Sequence, residues 1–149
     1  MRLFLSVLVL ASVAACEKST APAEPQSPNL SGNWTGTISS AVAGSGTLAL
    51  TISQFCIFET PSGDCENELS GTWSATYANP ANNAAGSIEG SITQSAVMLD
   101  LVPAVAGTCP LIVTAVATDS TSFDGTYSQS RSQGSCTGVD SGTLAAEKL

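Results

Sequence analysis

The most reactive side chains in this 149-residue chain are five cysteines, at positions 16, 56, 65, 109 and 136. None forms a C-x-x-C pair, so thioredoxin-type dithiol chemistry has no support. Cys16 closes an apolar N-terminal run. Cys56, Cys65, Cys109 and Cys136 form an even set, which in an exported chain points to two disulfides. There is no histidine. Its absence removes the commonest general base, the Ser-His-Asp triad and nearly every catalytic zinc site. The serines fall in no G-x-S-x-G or S-x-x-K context. Glu59, Asp64, Glu66 and Glu68 offer oxygen ligands of the kind Ca²⁺ takes, but without EF-hand spacing they read as a solvated acidic hairpin. Glu89 and Asp100 flank one inter-strand link with outward parity, the wrong arrangement for a glycosidase-type acid and base. A non-enzymatic protein is expected, with no metal and no cofactor.

The chemistry expected at Cys16 is lipidation. Arg2 followed by the apolar run from Leu3 to Ala15 reads as a secretory signal peptide, too short to cross a bilayer core that takes about 20 helical residues. Val13-Ala14-Ala15-Cys16 resembles the bacterial lipobox. The resemblance implies cleavage before Cys16 and a diacylglyceryl group on its sulfur, often with a third acyl chain on the new N-terminus. Two or more chains anchor firmly where one binds only marginally. Glu17 rather than Asp after the cysteine implies, by the same resemblance, sorting to the outer membrane. The expected location is the bacterial cell envelope, lipid-anchored and facing the periplasm or the cell surface.

Cleavage after residue 15 leaves 134 residues with three basic and twelve acidic side chains, a net charge near −9. Nucleic acid is excluded as a partner, because its binding rests on Lys and Arg contacts to phosphate. A polybasic mode of membrane attachment is excluded for the same reason.

Residues 17 to 29 hold three prolines and no large apolar side chain. With Cys16 they form a lipidated N-terminus and semi-extended linker, 16–29. Residues 30–149 then make one domain. Inside it Leu30-Ser-Gly-Asn-Trp34 lines up with Leu69-Ser-Gly-Thr-Trp73, and Gly46–Gln54 with Gly86–Gln94. Each copy is a pair of segments of period-two alternation split by small residues, a β-hairpin signature. The alternation predicts eight strands: Leu30–Ser40, Gly46–Phe55, Leu69–Tyr77, Ser87–Gln94, Ala96–Val102, Leu111–Thr118, Phe123–Ser130 and Cys136–Lys148. No helical apolar period follows the signal. The fold class expected is all-β, an eight-stranded antiparallel up-and-down β-barrel, which leaves no exposed edge. A flattened β-sandwich of the same strands is the alternative. In the barrel successive links alternate between the two ends, and only the pairings 56–65 and 109–136 keep each bridge at one end.

Parity sends Leu30, Trp34, Ile38, Leu48, Leu50, Ile52, Leu69, Trp73, Tyr77, Ile88, Ile92, Val97, Leu99, Leu101, Leu111, Val113, Phe123, Tyr127 and Leu144 inward. About a third of the inward positions are Gly or Ala, among them Gly36, Gly71, Gly90, Gly125 and Gly142. Such residues leave room for one small ligand in an eight-stranded barrel or let its strands bend sharply. Both explanations stay open at this level. Trp34, Trp73 and Tyr127 are accordingly either an aromatic wall for an apolar ligand or core and end plug.

Gly32-x-Trp34 on the first strand resembles the lipocalin/calycin barrels. The wider Leu30-Ser31-Gly32-Asn33-Trp34 also resembles avidin-type barrels and the periplasmic barrel inhibitors of secreted metalloproteases. The resemblance implies a calycin-like barrel whose Trp34 closes one end. The lipocalin Thr-Asp-Tyr signature is missing, since Thr118-Asp119 is followed by Ser120. Two functions are therefore expected in competition: binding of a small apolar ligand in the barrel, or a protein-binding module such as an inhibitor-like barrel engaging an envelope protein. A histidine-free enzyme is the third.

Overall fold

A computed structural model describes residues 26–59, 65–129 and 140–149. The signal 1–15, Cys16, most of the linker, Asp64, Ser130 and Cys136 lie outside the described residues. Among these residues the chain forms β1 (Gly32–Ser40), β2 (Gly44–Glu59), β3 (Cys65–Tyr77), β4 (Ala84–Thr93), β5 (Ala96–Pro103), β6 (Leu111–Ala117), β7 (Ser122–Gln129) and β8 (Ser141–Lys148), with a single 3₁₀ turn at Pro80–Asn82. Each strand pairs antiparallel with the next, and β8 returns to pair with β1 from Trp34↔Lys148 to Ser40↔Gly142. The sheet is a closed up-and-down barrel, so the sandwich is excluded.

The local cause is the period-two pattern. On β1, Trp34 and Ile38 are each 1 % exposed while Thr35 and Thr37 turn outward, and β-branched residues suit a pleated surface. Of the inward set only Tyr77 is merely half-buried, at the mouth of the barrel. An apolar interior under a Ser- and Thr-rich exterior reverses the polarity of a membrane-spanning barrel. No helix among the described residues is long and apolar enough to cross a membrane.

Followed once round the ring, the register advances by about ten residues, a stagger that tilts eight strands by roughly 40–45°. Such tight coiling brings neighbouring backbones close, and this explains the inward glycines. A Cβ on Gly36 would collide with the carbonyl oxygen of Ala145, and one on Gly71 with that of Thr51. Gly71 also holds φ +156°, which side chains resist. The glycines mark strand contact rather than empty space.

Several strand ends differ from the expected ones; β4, for example, begins at Ala84 rather than Ser87. Leu30 is fully buried but precedes β1. The β2–β3 ladder runs on to Glu59↔Cys65 through an irregularity at Cys56/Phe58, so both cysteines sit on strands rather than in the link. Strand β8 is described only from Ser141. Cys56 and Cys65 are bonded with Cα atoms 5.4 Å apart, the pairing expected from links that alternate between the barrel ends. Cys109 is fully buried at the opposite end and also disulfide-bonded; its expected partner, Cys136, lies outside the described residues.

Gly36→Ala is expected to lower unfolding free energy by about 1–3 kcal/mol through overpacking, read as a lower urea midpoint at constant slope; an unchanged midpoint would refute the backbone contact. Replacing Cys56 and Cys65 together by Ser should cost about 2–3 kcal/mol, because the bridge closes a short loop of sequence separation 9.

Candidate functional site

The two ends of the barrel are built differently. At one end, where the chain enters β1 and leaves β8, the sequence supplies a plug. Trp34 donates its indole Nε1–H to the Leu30 carbonyl at 2.8 Å and packs against Phe123 with ring centroids 5.0 Å apart. Lys148 lies over the Trp34 ring at 5.6 Å and reaches the Asn29 carbonyl at 3.3 Å. Gln54 fixes the incoming chain: its side-chain oxygen accepts from Leu30 N–H at 2.7 Å, and its own N–H donates to Ser31 Oγ at 2.9 Å. This end is closed.

The other end is a mouth. A cavity of about 250 Å³ opens there, with room for roughly eight waters. Trp73 and Tyr77 of β3, Ala84 of β4, Pro103 of β5 and Leu111 of β6 form its walls. Val42, Asn82, Thr108, Gln129 and Asp140 stand around its rim. Trp73 is 3 % exposed and donates to the Val102 carbonyl at 3.4 Å.

One carboxylate organises the polar side of this mouth. Asp140 Oδ2 accepts from Ser40 Oγ–H at 2.8 Å and from the Tyr127 hydroxyl at 3.1 Å, and Oδ1 accepts from Ser141 N–H at 2.8 Å. Ser40, itself buried, accepts from Val42 and Ala43 N–H at 3.1 and 2.7 Å, and so pins the β1–β2 turn. Tyr77 lies near enough to feel the charge of Asp140. Burial raises the ionisation of both phenols above the ordinary tyrosine value, and the Asp140 charge pushes the same way. Both therefore stay neutral donors around a single anion. Every buried side-chain polar atom among the described residues has a partner.

The structure divides the aromatic trio that the sequence singles out. Trp73 lines the mouth and Tyr127 supports it through Asp140, whereas Trp34 is the plug at the far end. Asp140, Ser40, Tyr77 and Gln129 were not candidates on sequence grounds, although Tyr77 stood in the inward set. Glu89 and Asp100 face each other across β4 and β5 on the outer wall, and neither lines the mouth. Glu68 is exposed on the acidic hairpin, and no cluster able to hold a metal occurs among the described residues. Two larger hollows, of about 350 and 490 Å³, lie over the barrel wall along outward-facing residues such as Thr51, Thr72 and Glu147. They lack the mouth's combination of apolar walls and converging polar groups, the usual mark of a ligand site.

Comparison with protein-family models, with characterised proteins and with solved structures finds no match to this chain.

Tyr77 and Tyr127 are the chain's two tyrosines, so phenolate absorbance isolates this network. The folded protein should stay largely un-ionised at pH 10, where an ordinary tyrosine is half ionised. Since the folded value is the raised one, the unfolded chain loses these protons first. The associated stability is fully present below pH 10 and declines as pH rises above it. An ordinary tyrosine titration in the folded state would overturn the network.

Proposed function

We propose that this is a non-enzymatic lipoprotein of the bacterial envelope, acylated on Cys16, which binds a small, largely apolar ligand in the open mouth of its barrel. The cavity of about 250 Å³ walled by Trp73, Tyr77, Ala84 and Leu111 carries the reading. The interior below it is filled by side chains that are nearly all under 5 % exposed, which confines ligand space to the mouth. Orientation supports the same function. Asn29 and Leu30 approach at the plugged end, so a chain tethered through residues 16–29, at most roughly 50 Å of extended linker, holds its mouth at the end away from the anchor.

A specific observation favours a second reading, a protein-binding module. Val42 and Val105, on two loops of the mouth end, are 75 % and 70 % exposed, and exposed apolar side chains on one rim suit a protein partner.

In a Gram-negative host, the full chain is expected to incorporate labelled palmitate and to sediment with the outer membrane. Cys16→Ser should abolish the label and move the chain to the soluble periplasmic fraction; a labelled Cys16→Ser chain would overturn the anchor. Native mass spectrometry of that soluble variant should show a small-molecule adduct lost on denaturation. Ala84→Phe, which fills the cavity, should eliminate the adduct. An adduct-free chain that captures an envelope protein, and loses it on Val42→Asp with Val105→Asp, would make the second reading the correct one.

A further inference from the structure

We infer that the mouth selects a small organic cation, an ammonium head on an apolar body, with Asp140 as its counter-charge; the inference rests on reading the mouth as a small-ligand site. Asp140 is the one charged side chain among the described residues lining the cavity. The described cation, Lys148, is committed to the opposite end, over Trp34. Among the described residues the oxygens of Asp140 accept three hydrogen bonds, all from uncharged donors, Ser40, Tyr127 and Ser141 N–H. Those donors hold the carboxylate in place without cancelling its charge.

The bound molecule must therefore answer a fixed negative charge in a half-enclosed, mostly apolar space. An anion would meet it with no described cation to offset the repulsion. A neutral apolar body would desolvate the carboxylate with nothing in return. An ammonium group supplies both charge and donors, and a charge-assisted hydrogen bond is about twice as strong as a neutral one. The aromatic faces of Trp73 and Tyr77 add favourable ground for a cation. Side-chain oxygens of Asn82, Thr108 and Gln129 offer acceptors for its remaining N–H groups. Over the whole chain a net charge of −8 concentrates cations near the surface before they find the site.

The test is calorimetric titration of the full chain carrying Cys16→Ser with three probes of one shape: benzylammonium, benzyl alcohol and benzoate. Benzylammonium should bind roughly ten- to a hundredfold more tightly than benzyl alcohol, with the advantage shrinking as salt is added, and benzoate should not bind measurably. Asp140→Asn preserves the side chain's shape and should bring benzylammonium down to the level of the alcohol. If that variant does not fold, the ranking of the three probes on the parent chain decides. Arg131→Ala, removing the nearest cation that precedes Asp140 in the sequence, should leave benzylammonium binding unchanged or tighter; weaker binding would overturn the inference. Equal affinity for ammonium and alcohol, or preference for benzoate, would refute the cation while keeping the mouth as a ligand site. Failure of all three probes on a folded chain would refute the site itself.

Discussion

Everything in this molecule depends on the pairing of β1 with β8. That ladder joins residues about a hundred positions apart, from Trp34↔Lys148 to Ser40↔Gly142, and turns a meander with two sticky edges into a ring with none. Closure of only eight strands is demanding. The strands must tilt and coil until inward side chains just fill the interior, and backbones along the seam approach so closely that a Cβ cannot be accommodated. Gly36 faces Ala146 and Gly142 faces Ser40 on that very ladder, and an alanine at either would strike the backbone across the seam. The small inward residues are a condition of closure, and the barrel interior is filled as a consequence.

The seam also sets where chemistry is available. At its lower end Lys148 meets the face of Trp34, and the incoming chain folds over both, so that end is consumed by packing. At its upper end the ladder stops at Ser40 and Gly142, and the next groups along are the Ser40 hydroxyl and the Asp140 carboxylate. Tyr127, one strand away, joins them. A polar network thus forms where the apolar filling runs out, between strands held together only by closure.

That geometry explains what could and could not be read from the chain. Alternation such as Leu48-Ala-Leu50-Thr-Ile52 fixes which face is buried whatever the partners are, and the inward residues follow from it. Strand ends are harder, because Phe55–Glu59 continues pairing where its acidic, cysteine-bearing surroundings resemble a link. The mouth was the least legible feature. Asp140 is a lone acid in a Gly- and Ser-rich stretch, and nothing local ties it to a serine a hundred residues earlier. The tryptophans mislead in a different way. Trp34, Leu50 and Trp73 form one register row in the sheet, as the Leu-Ser-Gly-x-Trp repeat suggests. Crossing two tilted strands at about 4.8 Å each shifts a row by roughly 6–7 Å along the barrel axis. Neighbours in the sheet therefore reach opposite ends of the barrel's filling, one as plug and one as wall of the mouth.

On the proposed function, this division separates stability from recognition along one axis. The plug buries the Trp34–Phe123 contact and fixes where the chain enters the barrel, while the mouth holds a carboxylate whose neighbours are hydroxyls and a backbone amide. Such a carboxylate is held in position by neutral donors, and among the described residues no cation stands beside it to balance its charge. Ser40 ties the same group to the β1–β2 turn through Val42 and Ala43. A charge arriving at Asp140 would thus act on the closing seam and on a rim loop together, so occupancy of the mouth should be felt in how firmly the barrel is shut.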